Sequence, residues 1–142
     1  MGGFGRSAKN THMSWDVSVF KFVGETPKSM DDFSEENFRP LGGAKMVRSM
    51  ISKYLPGIDW SDPSWGMYEK DFVSFEFNVG SGETIDSIMV HVRGGGDPIR
   101  KLLDFAIPCG WVLLDCSTGE LISEENPNRD GWEGFKGFRD SL

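Results

Sequence analysis

Cysteine and histidine are scarce in this chain, two of each in 142 residues. There is no Cys-x-x-Cys and no His pair, so no zinc-ligand spacing is written here, and no metal or cofactor is expected. Basic residues are outnumbered, 15 Lys and Arg against 22 Asp and Glu, for a formal net charge of −7. Phosphate neutralisation needs Lys and Arg, so no binding to nucleic acid or to an anionic membrane is expected. An acidic surface favours solubility and suits a basic protein partner. No apolar run approaches the roughly 20 residues that span a bilayer. No signal peptide is recognisable, and the expected location is cytoplasmic.

The two cysteines fit that compartment. Cys109 and Cys116 flank a predicted strand over 110–115. An extended segment of that length separates them by about 23 Å, at roughly 3.3 Å per residue. A disulfide needs Cα atoms within about 7 Å. No intramolecular bridge is expected, and free thiols imply a reducing environment.

What the chain has is apolar bulk. It is 38% hydrophobic, with five Trp and eleven Phe, enough for one domain with its own core. Residues 1–12 hold three Gly and the basic Arg6 and Lys9 but no acid, and read as an expression leader ahead of a natural start at Met13. Without them the charge becomes −9, from 13 basic and 22 acidic residues, and His91 is the only histidine left. Residues 13–122 are expected to form a single α+β domain. Residues 123–142 are expected to be a flexible Gly/aromatic tail, with glycine at 131, 134 and 137 and no evident helical period. The sharper alternative is that its aromatic residues dock.

The Gly94-Gly95-Gly96-Asp97-Pro98 stretch organises the rest. Ile88, Val90 and Val92 alternate with Met89, His91 and Arg93 before it, the period of a half-buried strand. Ile99, Leu102, Leu103 and Ala106 follow at helical spacing, with Asp97 as N-cap and Pro98 at the first helical position. Residues 15–23 read as a central strand and 24–40 as a polar, acidic loop. Residues 44–55 read as a helix, 58–66 as a turn-rich connector, and 73–79 as a strand alternating Val73, Phe75, Phe77 and Val79 with polar residues. Pro108-Cys109-Gly110 should stop the second helix, and 111–116 with 120–122 should form a hairpin. The order predicts a two-layer sandwich, a mainly antiparallel sheet with two helices on one face. Its core follows the ferredoxin-like βαββαβ plan, with extra strands.

Pairing the strands at 74–79 and 87–93 brings Glu76, His91 and Arg93 onto one polar face. Such a cluster can bind an anionic or peptide ligand, or remain an ordinary solvated face with cross-strand charge pairs. The glycine bend can offer backbone N–H groups to a phosphate at a helix start. However, neither a P-loop nor the dinucleotide spacing is present, and Asp97 puts negative charge where the anion would sit. A Cys116–His91 nucleophile pair lacks any surrounding motif. Trp60 and Trp65 read either as a binding hot spot or as the closure of a small core. The binding candidates are therefore Glu76, His91, Arg93, Trp60 and Trp65, with no catalytic or metal-ligating residue assigned.

Five segments carry a resemblance taken together. They are Trp15-Asp16-Val17-Ser18-Val19, Asp59-Trp60-Ser61-Asp62-Pro63, Phe75-Glu76-Phe77-Asn78-Val79-Gly80, His91-Val92-Arg93-Gly94-Gly95-Gly96-Asp97-Pro98 and Gly110-Trp111-Val112-Leu113-Leu114-Asp115. Over residues 13–122 the chain resembles, in overall style, small bacterial α+β proteins, some of which resemble immunity proteins of polymorphic toxin systems. That resemblance implies a non-catalytic domain that binds a protein partner, and it brings no catalytic residues. The competing expectations are a small-ligand module using Glu76, His91 and Arg93, and an enzyme using His91 as acid–base. Oligomeric state is not fixed by the sequence.

Overall fold

A computed structural model describes residues 13–25 and 30–142. The expected leader, 1–12, lies outside the described residues. The sheet grows outward from β1 (Trp15–Phe22), which takes β8 (Ile88–Gly94) on one side and β9 (Val112–Asp115) on the other. Beyond β8 follow β6 (Val73–Asn78), β5 (Trp65–Lys70) and β4 (Asp59–Asp62). Beyond β9 lies β10 (Leu121–Ile122). The two-residue β2 (Phe38–Arg39) pairs antiparallel with the end of β1, and β3 (Gly42–Gly43) pairs separately with β7 (Thr84–Ile85). Every pairing among the described residues is antiparallel, as the α+β expectation requires.

One sheet face is dry. Trp15, Val17, Val19, Phe75, Phe77, Val90 and Val92 are each no more than 1% exposed. They form one cluster with Val47 and Ile51 of α1 (Ala44–Tyr54) and with Ile99, Leu102 and Phe105 of α2 (Pro98–Cys109). The Phe105 ring meets Phe77 edge-on at 5.5 Å, and α1 and α2 touch each other. The ends of α2 follow the sequence signals. Asp97 accepts from the Arg100 N–H, Pro98 opens the helix, and Gly110 terminates it in the left-handed region at φ 72°. The helix does continue through Pro108 to Cys109 rather than stopping there. In the last turn a proline forfeits only one intrahelical bond, so it is tolerated.

Three segments depart from the sequence reading. The 58–66 connector contains β4, which hairpins with β5 around Pro63-Ser64. It is an edge strand with exposed Asp59 and Asp62, so it carries no apolar period. The 24–40 loop, over its described residues, holds two short 3-10 turns and β2. Phe33 and Phe38 there close over Phe20 and Phe22 with ring centroids 4.5–5.6 Å apart, which caps one end of the second sheet face. Finally, the segment 123–142, expected as a flexible tail, carries α3 (Arg129–Asp140).

Helix α3 forms because tertiary contacts override poor local propensity. Trp132 is 2% exposed and sits 5.5 Å from the Trp15 ring. Phe135 stacks on Trp132, and Arg139 donates to the Gly94 carbonyl at 2.8 Å. The entry to the helix is fixed by a buried carboxylate. Asp115 Oδ1 accepts from the Ser117 N–H and hydroxyl at 2.8 and 2.6 Å, and Asp115 Oδ2 accepts from Asn128 Nδ2 at 2.7 Å. Gly131 lies against that node, and a Cβ there would overlap Asp115 Oδ2. Gly134 and Gly137 face open space. Glycine costs about 1 kcal/mol against alanine inside a helix. Gly134→Ala and Gly137→Ala should therefore each stabilise the protein by up to about 1 kcal/mol, whereas Gly131→Ala should destabilise it, all read from urea unfolding midpoints.

Candidate functional site

The second sheet face carries the polar alternates of the same strands. Cross-strand register arranges them in three rows. Glu69, Ser74 and Arg93 make the first; Met67, Glu76, His91 and Asp16 the second; Trp65, Asn78, Met89, Ser18 and Leu114 the third. None of these residues is buried, and Met67 is 45% exposed. Among the described residues no helix packs on this face: Val47 and Ile51 of α1, Ile99, Leu102 and Phe105 of α2, and Trp132 of α3 all join the core on the other side.

Glu76, His91 and Arg93 do come together, as the strand pairing predicts. Glu76 lies opposite His91, but its carboxylate pairs diagonally with Arg93. Both side chains of that ion pair are less than one-fifth exposed, so Arg93 is held in the sheet surface rather than waving in water. His91 has a different partner. Its Nδ1 lies 2.8 Å from Asp16 Oδ1, and Trp65 stacks on the imidazole at 5.6 Å. Trp65 thus belongs to this site, although its sequence neighbours point to a turn. Trp60 does not. It packs over Gly66 on the core side, where its Nε1 donates to Ser52 Oγ at 3.0 Å. The two tryptophans lie on opposite faces of the sheet and make no common hot spot. Met67, Met89 and Asp16 also belong to the face, and clustering of charge in the sequence does not single them out. Strand alternation alone places all three.

Ser14, Asp16 and His91 meet at the edge of this face. Ser14 Oγ donates to Asp16 Oδ1 at 2.6 Å and lies 3.5 Å from His91 Nδ1. Serine and aspartate therefore share the same imidazole nitrogen. In a nucleophilic triad they occupy opposite nitrogens, so this trio is not one. Cys116 points to the same face, with its Sγ 3.9 Å from Met89 Sδ. Burial pushes its thiol pKa up, and the Asp16 carboxylate adds to the shift. A protonated thiol is a poor nucleophile. Both cysteines are free, and burial raises the Cys109 pKa too. Among the described residues no group of three His, Cys, Asp or Glu side chains is placed to hold a metal ion.

The glycine bend offers no anion cradle. The Gly95 and Gly96 N–H groups both donate to the Phe72 carbonyl, at 2.8 and 3.1 Å. A Cβ on Gly94 would overlap that oxygen, and one on Gly96 would meet the Asp71 carbonyl. Of the three, only Gly94 has a positive φ, 94°. Close approach of the β5–β6 turn requires glycine at 94 and 96, and backbone conformation adds to the requirement at 94; a Cβ on Gly95 would meet open space.

Compared with models of known families, with curated proteins and with solved structures, the chain matches none.

With both thiol pKa values raised, each thiolate fraction at mildly alkaline pH is below that of an unperturbed cysteine. Iodoacetamide should therefore alkylate Cys116 more slowly than it alkylates glutathione at the same pH, followed by mass spectrometry of the native protein.

Proposed function

We propose that this chain is a non-catalytic bacterial protein-binding domain of the toxin-immunity type, acting in the cytoplasm on a basic protein partner. One observation carries the reading: a sheet face on which no described helix packs, with Trp65, Met67 and Met89 set among paired charges. Aromatic and methionine side chains are enriched at interface centres, and polar residues form the rim around them. The acid excess supplies long-range attraction for a basic partner. The two free thiols accord with a reducing compartment.

In this reading the core is a two-layer ferredoxin-like unit. β1 and β6 are parallel to each other, separated by β8 and joined through α1 and the inserted β4–β5 hairpin. β8 and β9 are likewise parallel, separated by β1 and joined through α2. Two interleaved split βαβ units of this kind leave one sheet face free of helices.

The reading frame next to the one that encodes this chain supplies the test. Its product should arrest growth when expressed alone, and co-expression of this chain should restore growth. Met67→Lys should change folding stability by no more than about 0.5 kcal/mol, since the residue is half exposed. It should nevertheless weaken the complex at least about tenfold by calorimetry, through lost apolar contact and repulsion of a basic partner. Unchanged affinity would remove the sheet face from the interface.

A further inference from the structure

Phe72 is the most exposed large apolar residue among those described, at 87%, and its φ is +65°. Both properties are unfavourable. An aromatic ring stands in water, and an L-residue with a bulky side chain occupies the left-handed region. Asp71 and Phe72 form the two-residue loop of the β5–β6 hairpin, with Lys70 opposite Val73 and positive φ at both loop positions. That is the signature of a type I′ turn, for which Asp-Gly or Asn-Gly is the favoured pair. The chain has the aspartate but carries phenylalanine where glycine would relieve both costs.

The surroundings hold this turn rigid. The Gly95 and Gly96 N–H groups clamp the Phe72 carbonyl, and the Gly94 and Gly96 positions leave no room for a Cβ beside the turn carbonyls. Lys101 Nζ bonds Asp71 Oδ2 at 3.2 Å. A depression of about 530 Å³ opens between Phe72, Glu69, Ser74 and the glycine bend. Ser74 and Glu69 belong to the first row of the polar sheet face, so the depression is continuous with that face.

We propose that Phe72 is a preformed anchor for a protein partner, inserting its ring into an apolar pocket edged by Lys or Arg. The proposal rests on the protein-binding reading and names the residue that leads the contact. A buried aromatic anchor on a rigid support is the pattern of an interface hot spot. The basic edge suits the charge on the Glu69 side of the turn, since Lys70 lies on the opposite sheet face, level with Val73. Glu69 beside the ring has no ion-pair partner among the described residues, and the chain carries a net −7. The same charge repels an anionic bilayer, the other surface that takes an exposed ring.

Two measurements on Phe72→Gly test the anchor. Urea unfolding of the free chain should show a higher midpoint than wild type, because glycine relieves the turn. Calorimetry against the neighbouring-frame product should show affinity reduced by about thirtyfold or more. A lower or unchanged midpoint would mean that the ring stabilises its own chain and would overturn the proposal. A raised midpoint with unchanged affinity would overturn the anchor while leaving the protein-binding reading intact. Failure of the wild-type chain to bind would overturn both. Two controls separate other occupants. A dimer seen by gel filtration for wild type but not for Phe72→Gly would assign the ring to a second copy of this chain. Co-sedimentation with phosphatidylcholine–phosphatidylglycerol vesicles, lost in Phe72→Gly, would assign it to a membrane. Either result would overturn the partner named here.

Discussion

Along β1, β8 and β6 successive side chains point to opposite faces, and only one of those faces is dry. Val17, Val90 and Phe77 lie in one cross-strand line without exposure; Asp16, His91 and Glu76 lie in the next and remain accessible. A slip of one residue in any of these strands would move charges into the core and valines into water. The register is therefore fixed by the core, and the polar face inherits its layout from it. The Glu76–Arg93 and Asp16–His91 pairs, and the Trp65–His91 stack, are consequences of a hydrophobic pattern on the opposite side of the same strands.

Local order at the sheet margins depends on polar anchors. Asp115 faces inward opposite Val17 and is fully buried, and it commits its carboxylate to the Ser117 turn and to Asn128. Asn128 adopts a left-handed conformation, φ 56°, where the chain turns into α3. One acid thereby closes the β9–β10 hairpin and fixes the start of the last helix. The glycine bend does comparable work at the β8–α2 junction. Its N–H groups are committed to a neighbouring turn, so a motif that suggested a ligand cradle is instead a support.

Much of this was legible from residue order. The strands around residues 15–22, 73–78 and 88–94 carry strong period-two patterns, and the two central helices carry apolar stripes with readable caps. The grouping of Glu76, His91 and Arg93 followed from the turn between their strands. What stayed hidden had physical reasons. β4 is a polar edge strand with almost nothing to bury. α3 is diluted by three glycines, yet Trp132, Phe135, Lys136 and Arg139 stand at helical spacing. In the folded chain Lys136 lies over the Trp132 ring and Arg139 over the Phe135 ring. That aromatic–cation stripe was the available signal. The split of Trp60 and Trp65 across the sheet depends on the β4–β5 pairing, which no local pattern announced.

In the proposed reading recognition belongs to one side of the molecule and support to the other, and methionine oxidation can separate the two. Met67 lies on the polar sheet face at 45% exposure, and Met46 lies on α1, in the helical layer, at 52%. Hydroxyl-radical footprinting of the chain, free and bound to the neighbouring-frame product, reads both in one experiment. Protection of Met67 with Met46 oxidised as in the free chain is the predicted result. Protection of Met46 with Met67 unchanged would place the interface on the helices and contradict the assignment of recognition to the sheet face.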